Sequence, residues 1–303
     1  MEDLCAILGP ITSINMNTKR IRVHLPRTVL GIGLVALCSS GAANAGLLGT
    51  LYGTDGDGQT NYIFTSAGFS TFVQQGDTLV NNSQSDEYAI AVGATIRTLG
   101  NGNEGFGSGT YWGAEYTLSG VPTGATYTYP VPNAAFYDGT TDGTYNYAAD
   151  YISGNVYSFN LGWTNPQLLF NSNLGNALGI SYDSANNSLW VAQFGGTNLT
   201  EYSLSGLVLS SFSTAQNIAG LAYNPGDDTL WFNSISSNTL YQYSTAGSYL
   251  GSQTYAMLNP NILGLEFAES GAVAAPEPTT FGFILSGIAI LWAGRSRCRR
   301  SDR

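Results

Sequence analysis

The chain has 303 residues and a formal net charge of −10, from 20 acidic and 10 basic residues. Between residues 46 and 275 the only basic residue is Arg97, and this stretch has neither histidine nor cysteine. The composition excludes catalytic sites built on Ser-His-Asp or Cys-His, zinc sites of the usual nitrogen and sulfur type, and lysine-based phosphate loops. A strongly acidic body also repels phosphate backbones, so we expect no nucleic-acid partner.

Residues 1–45 are predicted to be an export signal. A cluster of basic residues at 19–27 precedes the apolar run 29–37, and small residues follow it at the positions that signal peptidase reads. The apolar run is too short to span a bilayer of about 30 Å. The pattern begins only at Met16, which is therefore the expected true start. The residues that define the cleavage site are Ala43, Ala45 and Gly46.

The body, residues 46–275, contains an internal repeat. The stretch 179–190 (GISYDSANNSLW) matches 220–231 (GLAYNPGDDTLW) at an offset of 41 residues. Each copy predicts four short strands, because alternating apolar residues are separated by Gly, Asn, Asp and Ser turns. Four strands in about 41 residues is the size of a β-propeller blade.

Aromatic residues mark the third strand of each predicted blade. These anchors are Phe64, Tyr116, Phe159, Tyr202 and Tyr243. The first interval is longer than the others, which indicates an insertion between Gln75 and Gly109.

The two ends of the body complement each other. The first unit begins at its second strand, around 50–52, and the fragment 264–267 (GLEF) is a first strand with no unit after it. Pairing one terminus with the other would leave no exposed edge at the closure. We therefore expect an all-β, five-bladed propeller with four antiparallel strands in each blade. An open solenoid is the alternative, and six blades would result if the insertion is itself blade-like.

The repeats resemble the divergent blades of extracellular NHL-, YVTN- and kelch-like propellers. That resemblance concerns architecture and implies no activity.

Two features of the body are candidate ligand sites. Asp55, Asp57 and Asn61 place alternating oxygens in one loop, which suits Ca²⁺, although an ordinary Gly/Asp turn explains the same residues. Trp190 and Trp231 share one repeat position and are predicted to pack in the core. Trp163 breaks the repeat pattern and is the candidate for stacking on a sugar ring.

Carboxylates leave one catalytic alternative open. A pair of them could act on a glycosidic bond, as in five-bladed glycoside hydrolases. The candidates are Asp86, Glu87, Glu104, Glu115, Asp138 and Asp150. None stands in a catalytic pattern, and Glu115 and Glu201 occupy equivalent repeat positions, which favours a structural or surface role.

The C-terminus has three parts in a fixed order. Pro276, Glu277 and Pro278 come first, and an apolar stretch follows that predicts a single transmembrane helix at about 279–294. A basic tail closes the chain with Arg295, Arg297, Arg299 and Arg300, which the positive-inside rule holds in the cytoplasm.

This tripartite order resembles the PEP-CTERM sorting signal of exported Gram-negative bacterial proteins. The resemblance covers only 276–303 and implies recognition by an exosortase in the inner membrane. It also implies cleavage near the Pro-Glu-Pro motif and transfer to the cell surface or an exopolysaccharide matrix. A tail anchor that stays in place is the alternative.

Together these features predict a protein exported through the inner membrane and anchored there before processing. We expect a non-catalytic propeller that binds polysaccharide or another matrix component. An extracellular glycan-active enzyme and a purely structural matrix protein are the alternatives.

Overall fold

The structure, a computed structural model, describes residues 47–56, 60–75, 85–102, 112–128, 130–234, 237–256 and 261–268. The predicted export signal and the predicted C-terminal helix and sorting motif lie outside these residues. Within the described part of the chain no helix is long and apolar enough to cross a membrane.

The described residues form twenty β-strands. The first ten are β1 (Leu51–Asp55), β2 (Thr60–Thr65), β3 (Gly68–Val73), β4 (Ser85–Val92), β5 (Ile96–Gly102), β6 (Trp112–Tyr116), β7 (Pro122–Thr128), β8 (Phe136–Thr141), β9 (Tyr145–Asp150) and β10 (Asn155–Asn160). The others are β11 (Gln167–Asn171), β12 (Ala177–Asp183), β13 (Ser188–Gln193), β14 (Asn198–Ser203), β15 (Val208–Ser213), β16 (Leu221–Asn224), β17 (Thr229–Asn233), β18 (Thr239–Ser244), β19 (Tyr249–Thr254) and β20 (Ile262–Phe267).

The strands form five four-stranded antiparallel sheets, which are the blades of a propeller. Blade 1 has the strand order β20-β1-β2-β3, and blades 2 to 5 are β4-β5-β6-β7, β8-β9-β10-β11, β12-β13-β14-β15 and β16-β17-β18-β19. The first strand of each blade is innermost, because β4, β8, β12, β16 and β20 contact one another around the axis. The five-bladed architecture is confirmed.

The long interval between Gln75 and Gly109 forms no sixth blade within the described chain. It contains β4 and β5, the two innermost strands of blade 2, with the turn that joins them, and its other residues lie outside the described ones.

The ring closes as predicted, by pairing the two ends of the body. Strand β20 pairs with β1 in antiparallel register, with Leu51 opposite Phe267 and Gly53 opposite Leu265. Blade 1 therefore takes its innermost strand from the C-terminal end of the body and its other strands from the N-terminal end.

The core is a ring of five apolar clusters, each lying between neighbouring blades. Trp190 packs with Leu221 and Tyr243 of blade 5, and Trp231 packs with Phe64 and Phe267 of blade 1. Both tryptophans are fully buried, which confirms the prediction that they pack in the core. The five third-strand anchors are at most 5% exposed.

Antiparallel pairing gives the propeller two distinct ends. Turns from first to second strands and from third to fourth strands lie at one end, which we call the acidic end because Asp142, Asp227 and Asp228 lie in these turns. Turns from second to third strands and connections between blades lie at the other. We call it the aromatic end, because Tyr151 and Phe194 directly follow second strands there.

Candidate functional site

The innermost strands approach the axis so closely that side chains are excluded at one repeat position. A Cβ added at Gly179 would lie 2.8 Å from the carbonyl oxygen of Ala219, and one at Gly220 would lie 2.7 Å from that of Leu263. Gly264 holds the same position in blade 1 and is equally crowded. These glycines begin a repeat motif, called Gly-Leu-x-Tyr here, which reads GISY at 179–182, GLAY at 220–223 and GLEF at 264–267. They make room at the axis.

A single carboxylate, Asp138, occupies that room. Its side chain projects from β8 and is completely buried. Four main-chain N–H groups donate to it: those of Gly139 and Leu265 to Oδ1, at 2.9 and 3.0 Å, and those of Ile180 and Leu221 to Oδ2, at 3.1 and 3.0 Å. The donors belong to blades 3, 1, 4 and 5, so one side chain links four of the five innermost strands.

A second axial layer lies nearer the acidic end. Glu266 on β20 is 5% exposed and accepts hydrogen bonds from Thr140 Oγ1 at 2.6 Å and from Ser181 Oγ at 3.2 Å. The two hydroxyl oxygens in turn accept from the main-chain N–H groups of Tyr182, at 2.9 Å, and Tyr223, at 2.7 Å. Glu266 therefore joins blade 1 to blades 3 and 4 across the axis.

The two axial carboxyls share an unusual electrostatic environment. Burial raises the pKa of Asp138 and of Glu266 well above their usual ranges, and the nearby Asp138 charge adds to the rise at Glu266. At Asp138 the four N–H donors oppose the rise, because they favour an ionised acceptor. At Glu266 the hydroxyl groups of Thr140 and Ser181 and the N–H of Thr141 oppose the rise in the same way.

These axial groups do not form a hydrolase site. A general acid and its partner carboxylate must reach a glycosidic oxygen and a water or sugar carbon. Asp138 and Glu266 are buried between strands, and all the contacts described above are with the protein itself. Their arrangement closes the centre of the ring.

The carboxylate candidates nearer the aromatic end are also structural. Glu87 is fully buried and accepts hydrogen bonds from Tyr116 Oη at 2.7 Å and from Thr98 Oγ1 at 2.6 Å. Asp150 accepts from the N–H groups of Ala135, at 2.8 Å, and of the turn that follows β9. The Asp86 side chain and Glu104 lie outside the described atoms.

The repeat-equivalent glutamates brace blades near the acidic end. Glu115 forms an ion pair with Arg97, with 3.3 Å between Oε2 and Nε, and its hydrogen-bond donors include Tyr127 Oη. These partners lower the pKa of Glu115, although burial acts in the opposite direction. Glu201 accepts hydrogen bonds from Ser188 Oγ at 2.7 Å and from Ser210 Oγ at 2.8 Å. It thereby links the second and fourth strands of blade 4. The described side-chain partners of both glutamates belong to their own blades.

The structure describes two of the three residues of the predicted Ca²⁺ loop. Asp55 ends β1 and is 2% exposed, whereas Asn61 lies within β2 and its Oδ1 accepts a hydrogen bond from Gln74 Nε2 at 3.1 Å. Asp57 lies outside the described residues. Among the residues that are described, no group of three or more His, Cys, Asp and Glu side chains could hold a metal ion. A Ca²⁺ site at this loop stays a prediction.

The interpretation of Trp163 as a sugar-stacking residue is wrong. Its ring is fully buried and packs against Phe159, with ring centroids 5.4 Å apart. A Cβ added at Gly139 would lie 2.8 Å from Trp163 Cη2, so the ring fills space that the innermost strand leaves open. Trp163 departs from the repeat because it compensates for a local glycine, and no face of the indole is available to a ligand.

A row of aromatic rings runs across the aromatic end instead. The ring centroids of Tyr88 and Tyr137 are 5.1 Å apart, those of Tyr137 and Tyr151 are 5.1 Å apart, and those of Tyr151 and Phe194 are 6.2 Å apart. Tyr88 is buried, and the other three rings are half-buried. We call Tyr137, Tyr151 and Phe194 the aromatic row. It begins on the innermost strand of blade 3 and ends after the second strand of blade 4.

Sequence reasoning missed the aromatic row, although a signal for it exists. Tyr151 and Phe194 are each the first residue after a second strand, so they occupy one repeat position in blades 3 and 4. A search confined to tryptophan and to third-strand anchors passes over this position.

Among the described residues, the exposed carboxylates are distributed unequally between the two ends. Asp142, Asp227 and Asp228 lie in turns of the acidic end and are at least partly exposed. At the aromatic end, the described side chains of Asp55, Glu87 and Asp150 are all buried. The connecting segments there carry no charged residue in blades 3 and 4: they are 151–154, 172–176 and 194–197.

Comparison with known proteins identifies the fold but no activity. No protein-family model matches the chain, and no curated protein matches it. A chain of a nidogen/laminin complex is 9% identical, with a TM-score of 0.50 over 72% of this chain and 97% of that chain. A protein of unknown function from Bacteroides caccae is 10% identical, with a TM-score of 0.48 over 72% and 98%. Virginiamycin B lyase from Staphylococcus aureus is 14% identical, with a TM-score of 0.42 over 70% and 72%. At 9% identity the likeness to the nidogen/laminin chain concerns the fold alone, and no enzymatic family is identified for this five-bladed β-propeller.

Proposed function

We propose that this chain is an exported, non-catalytic propeller that binds polysaccharide or another component of an extracellular matrix. The observation that carries the proposal is the aromatic row, a set of half-buried rings at the loop-bearing end of a ring whose axis is filled. Aromatic faces of this kind stack on the apolar faces of sugars, and their polar edges stay hydrated. Proteins also concentrate binding residues on loops held by a rigid scaffold.

The described carboxylates support a binding role over a catalytic one. Glu87, Asp138 and Asp150 are buried and accept hydrogen bonds from the protein itself. A glycoside hydrolase would need two carboxyl groups that face a common substrate.

The terminal segments define the proposed route. Residues 1–45 act as the export signal, and 276–303 act as a PEP-CTERM-type sorting tail that an exosortase processes at the inner membrane. The supporting pattern is the order of Pro276-Glu277-Pro278, an apolar stretch and an arginine-rich end. The body is thereby delivered to the cell surface or the extracellular matrix of a Gram-negative bacterium.

Affinity electrophoresis of the purified body, residues 46–275, tests the binding proposal. Gels that contain soluble bacterial and plant polysaccharides should retard the protein in at least one case, relative to a gel without polysaccharide. Unchanged migration in every gel would contradict polysaccharide binding.

Cell fractionation tests the proposed route separately. In a strain that carries an exosortase, the wild-type protein should reach the outside in a shortened form. A triple alanine variant of Pro276, Glu277 and Pro278 should remain at full length in the membrane fraction. Equal processing of both proteins would refute the sorting role.

A further inference from the structure

We propose that the aromatic end binds an uncharged polysaccharide across blades 3 and 4, with Tyr151 and Phe194 as stacking residues. The inference rests on the proposed function and names its ligand class and its site.

The rings in this region form a continuous surface. Tyr137, Tyr151 and Phe194 follow one another with centroid separations of 5.1 and 6.2 Å, and each ring is partly exposed. The neighbouring planes are inclined by 77° and 63°, so each ring meets the edge of the next. Successive rings that are half-buried and differently inclined suit a chain of linked sugar units better than one planar ligand.

Main-chain hydrogen bonds fix both stacking residues in place. The N–H of Tyr151 donates to the carbonyl of Ala135 at 2.8 Å, and Asp150 accepts from the next turn residues, Ile152 and Ser153. The N–H of Phe194 donates to the carbonyl of Asn176 at 2.8 Å. Because these turns are already ordered, binding requires little further loss of conformational entropy.

The groups around the aromatic row are neutral and can both donate and accept hydrogen bonds. Asn173, Asn176 and Gln193 are exposed in the flanking segments of blades 3 and 4. Amide side chains match the hydroxyl groups of sugars, which also donate and accept. Asp138 and Asp150, the acidic residues next to the row along the chain, are both buried and accept hydrogen bonds from main-chain N–H groups.

The charge distribution excludes an acidic polysaccharide as the preferred ligand. Carboxylate or sulfate groups on a glycan need a cationic partner, and Arg97 is the only basic residue between 46 and 275. Arg97 lies near the acidic end, its side chain is 13% exposed, and it is paired with Glu115. An acidic glycan would therefore meet a protein of strongly negative net charge with no compensating cation.

Paired cellulose derivatives test the ligand class on the purified body. Hydroxyethyl cellulose and carboxymethyl cellulose share one backbone and differ in charge, and dextran, soluble starch and a galactomannan extend the neutral set. We expect retardation by at least one neutral polymer and none by carboxymethyl cellulose.

Point variants test the site with the neutral polymer that binds. Tyr151→Ala and Phe194→Ala should each weaken affinity about two- to tenfold, which corresponds to the loss of about 0.5–1.5 kcal/mol of aromatic contact. Tyr151→Phe should bind like the wild type. Tyr145→Ala is the matched control, because Tyr145 is 45% exposed and begins β9 at the acidic end. Circular dichroism and thermal melting establish that each variant is folded.

The outcomes separate this inference from the proposed function. Retardation by carboxymethyl cellulose alone, or by other acidic polymers alone, overturns the ligand class and leaves polysaccharide binding in place. Equal weakening by Tyr145→Ala and Tyr151→Ala, or none by Tyr151→Ala and Phe194→Ala, overturns the site. A body that binds no polymer in the set overturns polysaccharide binding and this inference with it.

Discussion

Asp138 shows how one side chain can replace many separate contacts. Innermost strands of a propeller direct main-chain N–H groups toward the axis, and buried N–H groups without partners are costly. Here the two oxygens of Asp138 accept four such groups from four blades. The residue therefore works as a central fastener, and its burial reflects a structural need.

Replacing Asp138 with Asn should weaken the fold markedly. The amide would turn an –NH₂ group toward two N–H donors, so at least two hydrogen bonds would be lost. We expect the free energy of unfolding to fall by about 2–4 kcal/mol in urea titrations. Asp228→Asn is the matched control at an exposed turn position with φ of 55°, and it should change stability by less than about 0.5 kcal/mol. Equal stability of Asp138→Asn and the wild type would contradict the fastener role.

Glu266 should make stability depend on pH in an unusual direction. Because burial raises its pKa above the unfolded value of 4.5, the folded chain holds a proton that the unfolded chain releases. The unfolded state thus binds fewer protons above pH 4.5, and the free energy of unfolding falls as pH rises. Glu266→Gln removes this contribution. The free energy of unfolding of the variant, relative to that of the wild type, should therefore rise between about pH 5 and pH 8.

Urea titrations across that range measure the effect. Below about pH 4 both states of the wild type bind the proton, and the difference between the two proteins should be least dependent on pH. A constant difference from about pH 4 to pH 8 would show that folding does not raise the pKa of Glu266.

At the scale of the strand, the Gly-Leu-x-Tyr motif has a spatial cause. Its glycine faces the main chain of the next blade, its Leu or Ile is buried, and its aromatic residue marks the end of the innermost strand. The requirement for glycine at Gly179 and Gly220 is close approach, since neither has a positive φ. The close approach of neighbouring innermost strands therefore explains why the motif begins with glycine.

Gly220→Ala should strain that approach. The added methyl group would lie 2.7 Å from the carbonyl oxygen of Leu263, and only movement of the main chain can relieve the overlap. We expect a loss of about 1–3 kcal/mol in the free energy of unfolding, measured in urea. Gly175→Ala is the matched control, because nothing lies within 4 Å of the added atom. The close-packing interpretation fails if the two variants are equally stable.

Sequence analysis predicts the features that recur in several blades and misses the residues that occur in one blade only. Blade number, strand order and closure follow from a period that recurs at Phe64, Tyr116 and Tyr243. Asp138 occurs once, at a position where blades 1, 4 and 5 have glycine, so no period identifies it. Trp163 is also an exception to the repeat, and its cause, the space beside Gly139, is visible only in three dimensions. Tyr151 and Phe194 do recur, but recognising them requires knowing where the second strands end.

At the scale of the whole molecule, stability depends on joining the two ends of the body. Strand β20 supplies Ile262, Leu265 and Phe267 to the cluster between blades 5 and 1. It also supplies Glu266 and one N–H donor to the axis. The ring therefore cannot be completed until the last described strand is made.

Truncation tests this dependence directly. A chain that spans 46–268 should unfold cooperatively with nearly the stability of the 46–275 body. A chain that spans 46–261 lacks three buried apolar side chains, each worth about 1.5–3 kcal/mol, and should lose at least about 5 kcal/mol, a loss comparable with the total stability of many domains. Far-ultraviolet circular dichroism and urea unfolding provide the measurement. Similar unfolding of both chains would show that closure is dispensable.

The closure in blade 1 also places both ends of the described body on one side of the propeller. Leu51 and Phe267 lie opposite each other at the acidic end, and Ala268 N–H donates to the carbonyl of Thr50 at 3.2 Å. The chain therefore enters and leaves the fold at one point, on the side away from the aromatic row. A body attached through its C-terminal tail would direct Tyr151 and Phe194 outward, toward material beyond the cell. Attachment and ligand capture would then use opposite poles of one ring, so neither would obstruct the other.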